Sequence, residues 1–172
     1  MTNQLGYLDL ALMAEASYVL WDEISGYASQ QYTLEDIKNA LLKKNEDEFK
    51  GKYSETQAGY FLKHWKILHH QPNTESGFSG TLFQRIDDDP LGPYQRGDYV
   101  LALRGTEGLI SKDFWVADLG EIVSNGLAIS QIIALHNYWQ RLIRPAGQYA
   151  LQARLFDAQS GVPVESDSGG ET

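Results

Sequence analysis

The stretch Asp98-Tyr99-Val100-Leu101-Ala102-Leu103-Arg104-Gly105-Thr106 decides how this chain is read. Val100, Leu101, Ala102 and Leu103 form an unbroken apolar run of strand length. That run predicts a strand over 98–104 covered on both faces. Gly105 lets the backbone leave the strand sharply and approach a ligand closely. Thr106 then places a hydroxyl and a backbone N–H directly after the strand. Loops that follow a central strand are where α/β sheets carry functional groups. Two donors aimed at one point suit acyl transfer, because the tetrahedral intermediate gathers negative charge on the former carbonyl oxygen. One such donor typically lowers the barrier by ~3 kcal/mol. Strand-Gly-Thr also occurs in ordinary turns, so these residues alone leave a purely structural role open.

Working upstream, Phe78-Ser79-Gly80-Thr81-Leu82-Phe83-Gln84-Arg85-Ile86 predicts a second strand. The loop 87–93 between the two strands is dense in breakers, so they form an antiparallel hairpin. The N-terminal half reads as helical. Over 7–20, Leu8, Leu12 and Ala16 recur every four residues, and Ala11 and Tyr18 widen that face. Thr33 with Asp36 marks a capping box, followed by a buried stripe of Leu34, Ile37 and Leu41. Ser54 with Gln57 marks another, followed by Ala58, Phe61, Leu62 and Trp65, in a helix that should stop before Pro72. The charged stretch 43–52 reads as exposed.

Downstream, 111–119 suggests a short helical turn. A long helix over 127–143 carries Ile129, Ile132, Ile133, His136 and Trp139 on one face. Pro145 and Gly147 end it, and Tyr149 to Phe156 could form a further turn or two. From Asp157 the chain is polar and rich in Ser, Gly and Glu, so 157–172 reads as a flexible tail or truncated loop.

Composition narrows the function classes. The chain has 172 residues, of which 42% are apolar, enough for one hydrophobic core. A net charge of −9, from 14 basic and 23 acidic residues, leaves no basic stripe. This argues against nucleic acid as a partner and against electrostatic attachment to anionic lipid. The absence of cysteine excludes disulfides, thiolate metal sites and a thiol nucleophile. The start of the chain is neither basic nor followed by a signal-type apolar core. No apolar run approaches the ~20 residues that span a bilayer. The expectation is a soluble protein with no transmembrane segment, cytoplasmic or exported without an N-terminal signal.

Three segments taken together resemble a known family. They are Phe78 to Phe83, then Tyr99 to Glu107 with its Arg104-Gly105-Thr106, then Asp113-Phe114-Trp115-Val116-Ala117-Asp118-Leu119. The set resembles the class 3 lipases, most of all their bacterial members. In that family a hairpin feeds a strand ending Arg-Gly-Ser or Arg-Gly-Thr, a Trp-x-x-Asp-Leu segment follows, and a long helix comes next. Leu10 to Tyr18 also looks like the family's opening helix, so the resemblance spans roughly residues 7–145.

The resemblance implies a partial α/β-hydrolase. Its parts are N-terminal helices, an antiparallel hairpin leading into a central strand, a lid-like segment and a long helix, over residues 1–156. It implies hydrolysis of lipid carboxylic esters at an interface, with no cofactor and no metal. It assigns Thr106 to the oxyanion hole. It makes Arg104, Gly105 and Asp118 structural support, with Arg104 and Asp118 a candidate ion pair. Leu109, Ile110, Phe114 and Trp115 become the apolar lid face. From the residues alone, Asp118 fits a solvated or capping carboxylate equally, and Trp115 an ordinary core anchor.

The family's chemistry also needs a serine at a strand-turn-helix elbow, Gly-x-Ser-x-Gly, followed by Asp and His. This chain has no such string. Ser166-Asp167-Ser168-Gly169-Gly170 comes nearest, but Ser166 stands where the first glycine is needed and no apolar strand precedes it. His64, His69, His70 and His136 all precede the place where the elbow would fall. His136 reads as a core residue on an apolar helix face. His64, His69 and His70 read as lying near a helix end, where His69 and His70 suit the helix dipole. His64 and His69 are spaced wrongly for a shared metal. Asp87-Asp88-Asp89 reads as a solvated turn rather than a calcium site, since adjacent carboxylates cannot all face one ion.

The expectation is therefore the N-terminal segment of a serine esterase whose nucleophile this chain does not contain, inactive alone. Its partners would be a lipid or ester substrate and the remainder of the hydrolase domain. The alternative is a non-catalytic module that binds a partner or lipid.

Overall fold

The computed structural model describes residues 3–42, 51–89, 92–104 and 129–154. These fall into two compact units. One comprises the described residues within 1–72 and 79–104, the other those within 73–78 and 105–172. The architecture is mixed α/β. The first unit holds helix α1 (Asn3–Ala16), a 3-10 turn (Trp21–Glu23), α2 (Leu34–Leu41), α3 (Glu55–His64) and strands β1 (Trp65–Gln71), β2 (Ser79–Arg85) and β3 (Tyr99–Arg104). The second holds the long helix α4 (Ile129–Ile143).

Both expected capping boxes form. Thr33 accepts from the Asp36 N–H at 3.2 Å while the Asp36 carboxylate accepts from the Thr33 N–H at 2.8 Å. Ser54 and Gln57 make the same reciprocal pair at 3.3 and 2.8 Å. Each box satisfies donors that the first helical turn otherwise leaves unpaired. The buried stripes differ from the expected ones by a rotation of the helix. On α1 the buried face is Asp9, Leu12, Met13 and Ala16, while Leu8 faces water. On α2 it is Ile37, Ala40 and Leu41, with Leu34 74% exposed at the first turn.

The third helix is shorter than its apolar spacing predicts. It ends at His64, and Trp65 caps it in an extended conformation through an N–H bond to the Phe61 carbonyl. Residues 65–71 then run as β1, a strand the sequence pattern had folded into the helix. Pairing with β2 outweighs local helix propensity here, as tertiary context commonly does. His69 and His70 thus lie on a strand, not at a helix end.

The sheet is antiparallel with order β1-β2-β3. The hairpin of β2 and β3 forms as expected, with Ser79 opposite Arg104 and Phe83 opposite Val100. Among the described residues, however, β2 and not β3 is the middle strand. Nor is β3 covered on both faces: Ala102 is buried while Tyr99 and Leu103 are exposed. The buried face carries Trp65, Ile67 and His70 from β1, Ser79, Thr81, Phe83 and Arg85 from β2, and Val100, Ala102 and Arg104 from β3. A bulge between Ile67 and His69 shifts the register of β1. The extra residue reverses the alternation, so His70 turns inward and His69 outward.

The core lies between this face and the helices. Phe61 sits edge-on to Phe83 at 5.4 Å between ring centroids and to Tyr53 at 5.9 Å. The Tyr53 hydroxyl donates to the Leu12 carbonyl, which ties the start of α3 to α1. Gly51 is buried against the end of α2, where a Cβ would lie 1.9 Å from the Ala40 carbonyl oxygen, so only glycine fits.

In the second unit, α4 occupies almost the expected span, but its buried residues are Asn137 and Tyr138. Ile132 and Trp139 are about half exposed, and His136 is exposed rather than a core residue. Tyr138 packs against Phe78 at 5.9 Å. The Asn137 amide clasps Ala153 with two bonds, donating to its carbonyl at 3.0 Å and accepting its N–H at 2.7 Å. That clasp holds backbone with no regular secondary structure, and the helical turns expected after Tyr149 are absent through residue 154. No described helix is long and apolar enough to cross a membrane.

Candidate functional site

The buried sheet face is polar at both ends, and each end is built around an arginine. At one end stands Arg85, on an inward position of β2 where the pattern Ser79, Thr81, Phe83 leads. Its side chain is 1% exposed. Nη1 donates to Asp9 Oδ2 at 3.3 Å, Nε lies 2.7 Å from Asp87 Oδ1, and Nη2 lies 3.7 Å from Asp89 Oδ2. Trp65 stacks beneath the guanidinium at 5.2 Å and donates its indole N–H to the other Asp9 oxygen at 3.1 Å. A buried carboxylate such as Asp9 is tolerable only with this density of partners.

The Asp87-Asp88-Asp89 run is therefore not the solvated turn expected. Asp87 and Asp89 face Arg85, while Asp88 points outward toward Arg96 at 3.8 Å. Asp89 is 8% exposed and also accepts the Gly92 N–H at 2.8 Å. A Cβ at Gly92 would lie 1.9 Å from the Asp89 carboxylate, so glycine permits that wrap. His64 Nδ1 lies 2.6 Å from Asp87 Oδ2. A histidine held by a carboxylate in this way is oriented as a general base is. Here Arg85 Nη2 stands 3.2 Å from the same nitrogen, so the pair belongs to the brace around Arg85. Beside it, burial raises the Tyr60 hydroxyl pKa, with Asp9 adding to the effect.

At the other end, Arg104 closes β3 opposite Ser79. Its guanidinium carbon lies 5.7 Å from the centre of the Tyr18 ring, within cation–π range. Across the sheet, His70 sits between Thr81 Oγ1, 2.8 Å from Nδ1, and Asp22 Oδ1, 3.4 Å from Nε2. Burial pushes the His70 pKa down to about 4, outweighing the opposing pull of Asp22, while His69 and Arg104 push it lower. The ring is thus neutral near pH 7. With Nε2–H directed to the Asp22 carboxylate, Nδ1 accepts the Thr81 hydroxyl. The order hydroxyl, imidazole, carboxylate imitates a catalytic relay, but Thr81 is 0% exposed, so no substrate carbonyl can meet it.

Of the residues singled out from sequence, Arg104 is placed at the end of β3. Gly105, Thr106, Leu109, Ile110, Phe114, Trp115 and Asp118 lie outside the described residues, as does the expected pairing of Arg104 with Asp118. The Arg85 brace and the Tyr18 contact were not read from sequence. Each had a signal: a charged residue at an inward strand position, an acid among apolar neighbours on α1, and an aromatic just past that helix. Among the described residues, no group of three or more His, Asp or Glu is arranged to hold a metal ion.

Comparison with protein-family models, with curated proteins and with solved structures finds no match to this chain.

Proposed function

We propose that this chain is the N-terminal segment of a lipase-type serine esterase, supplying the Thr106 oxyanion donor and a lid to a nucleophile it does not itself contain. The observation that carries the reading is the course of β3. This strand pairs antiparallel with β2 and extends to Arg104, so Gly105-Thr106 follows directly on a sheet strand. A donor pair in that position would face a developing oxyanion without needing to reorganise during the reaction. The partial α/β-hydrolase arrangement and the lid role of Leu109, Ile110, Phe114 and Trp115 belong to the same proposal. The substrate class is a lipid carboxylic ester, cleaved through an acyl-enzyme.

The test is an assay on a short-chain chromogenic ester of this chain beside a version extended downstream through a Gly-x-Ser-x-Gly elbow. Turnover by the extended protein alone, abolished by changing the elbow serine to alanine, supports the reading. Equal turnover by both, or by neither, counts against it.

A second reading, a non-catalytic module that binds a partner or lipid, draws on the apolar side chains left outside. Ile132, Trp139 and Ile143 on α4 are about half exposed, and Tyr149 is 99% exposed. Retention of this chain by neutral lipid vesicles, lost in Trp139→Ser, would favour it.

A further inference from the structure

We propose that α4 and the turn that follows it dock on an anionic lipid surface; this rests on the second reading, in which the chain meets lipid, and supplies the kind of lipid. Along α4, Ile132, His136, Trp139 and Ile143 follow one another at intervals of four, three and four residues, so they share one face. All four are exposed. The residues that α4 buries are Asn137 and Tyr138. A helix on a protein surface ordinarily does the reverse, turning its apolar stripe inward and its polar groups to water. Single exposed apolar side chains need no explanation, whereas a contiguous row of them marks a contact surface.

The chain after the helix is fixed at two points. The Gln148 N–H closes a turn on the Pro145 carbonyl at 3.1 Å, and the Asn137 amide holds Ala153. Between these points Tyr149 is 99% and Leu151 76% exposed. Charge then selects the partner. From residue 129 to residue 154 the chain carries Arg141, Arg144 and Arg154 and neither Asp nor Glu, although the whole sequence has 23 acidic residues. Arg144 and Arg154 are exposed, and Arg141 lies over the Tyr138 ring at 5.9 Å. Aliphatic and amphipathic aromatic side chains beside arginines are what helices lying in a lipid interface present. A side chain that projects as far as Tyr149 needs a matching pocket in a protein partner, but a lipid surface yields to it. The net charge of −9 opposes attachment of the chain as a whole. Charges act over only about 8 Å at physiological salt, however, so the acid-free stretch governs its own contact.

The experiment is flotation of this chain with vesicles of phosphatidylcholine alone and with vesicles of equal parts phosphatidylcholine and phosphatidylglycerol. Partition onto the anionic vesicles should be at least about tenfold tighter. The double variant Arg144→Gln/Arg154→Gln should lose about tenfold on the anionic vesicles and nothing on the neutral ones, and concentrated salt should act in the same way. Trp139→Ser should weaken both by about tenfold, because it removes apolar contact and not charge. Tyr149→Ser repeats that test outside the helix, at a side chain that no fold contact depends on. Equal retention on both vesicles, or retention that the double arginine variant leaves unchanged, would overturn this inference and leave the lipid reading standing. Retention on neither would overturn both. A lipid-free dimer in analytical ultracentrifugation, dissolved by Trp139→Ser, would show a second copy of the chain as the occupant instead.

Discussion

Asp9 and Arg85 lie 76 residues apart in the chain and meet at 3.3 Å with both side chains almost wholly removed from water. The pair joins α1 to the middle strand of the sheet. Its burial makes the two residues interdependent, because a charge left behind in a dry site has no solvent to compensate it. Arg85→Met is expected to destabilise the fold by about 3–5 kcal/mol, and Asp9→Leu by a comparable amount. The double variant should lose clearly less than the sum of the two, since neither charge is then stranded. Urea denaturation of the three variants measures this, and additive losses would show that the two side chains are not coupled.

That relationship also marks what the sequence could and could not reveal. The capping boxes at Thr33 and Ser54 were legible because each is a local pattern, four residues long, with its own physical cause. The β2–β3 hairpin was legible because apolar runs bounded by breakers leave few alternatives. By contrast, β1 was hidden. Ala58, Phe61, Leu62 and Trp65 fit helical spacing, and only the pairing of Trp65 opposite Arg85 extends the chain there. The orientation of His70 depends on a one-residue bulge that no local pattern announces. Asp9 on an apolar helix face and Arg85 at an inward strand position were not singled out from the sequence. Their pairing is non-local, so only the folded chain explains both. On β3, the strand was legible and the contact of Arg104 with Tyr18 was not.

The caps give a second, independent check on the helices. Ser54→Ala removes the acceptor for the Gln57 N–H and should cost about 1 kcal/mol. Thr33→Ala should cost a similar amount by releasing the Asp36 N–H. Their partners are separate, so the losses should add to within a few tenths of a kcal/mol. Thermal unfolding followed by circular dichroism reads both, and an unchanged midpoint in either single variant would show that its box contributes nothing.

His70 supplies a pH dependence whose sign can be worked out. Its pKa in the fold, about 4, lies below the ordinary value of 6.5. Between those values the unfolded chain binds the proton and the folded chain does not. This histidine's contribution is therefore fully present above pH 6.5 and is lost progressively as pH falls toward 4. His70→Gln keeps an acceptor for the Thr81 hydroxyl but cannot titrate. The difference in stability between the two proteins should grow with pH across this window and be flat above it. Urea midpoints taken from pH 4 to 8 give the comparison. A constant difference throughout would mean that His70 titrates alike in both states.

The oxyanion assignment is sharpest when the two donors of Thr106 are separated. Its backbone N–H survives any substitution other than proline, whereas its hydroxyl does not. Thr106→Ala in the extended enzyme should therefore lower kcat by about ten- to a thousandfold while leaving KM within a few-fold. That hydroxyl would act mainly on charge that develops in the transition state. Thr106→Ser retains the hydroxyl and should recover most of the loss, short only by the rotameric freedom that the β-branch removes. Steady-state kinetics on one soluble ester decide the matter. If serine and alanine are equally impaired, the methyl group is what counts and Thr106 is a packing residue. If neither is impaired, the strand ending in Arg104 carries a turn rather than a catalytic donor.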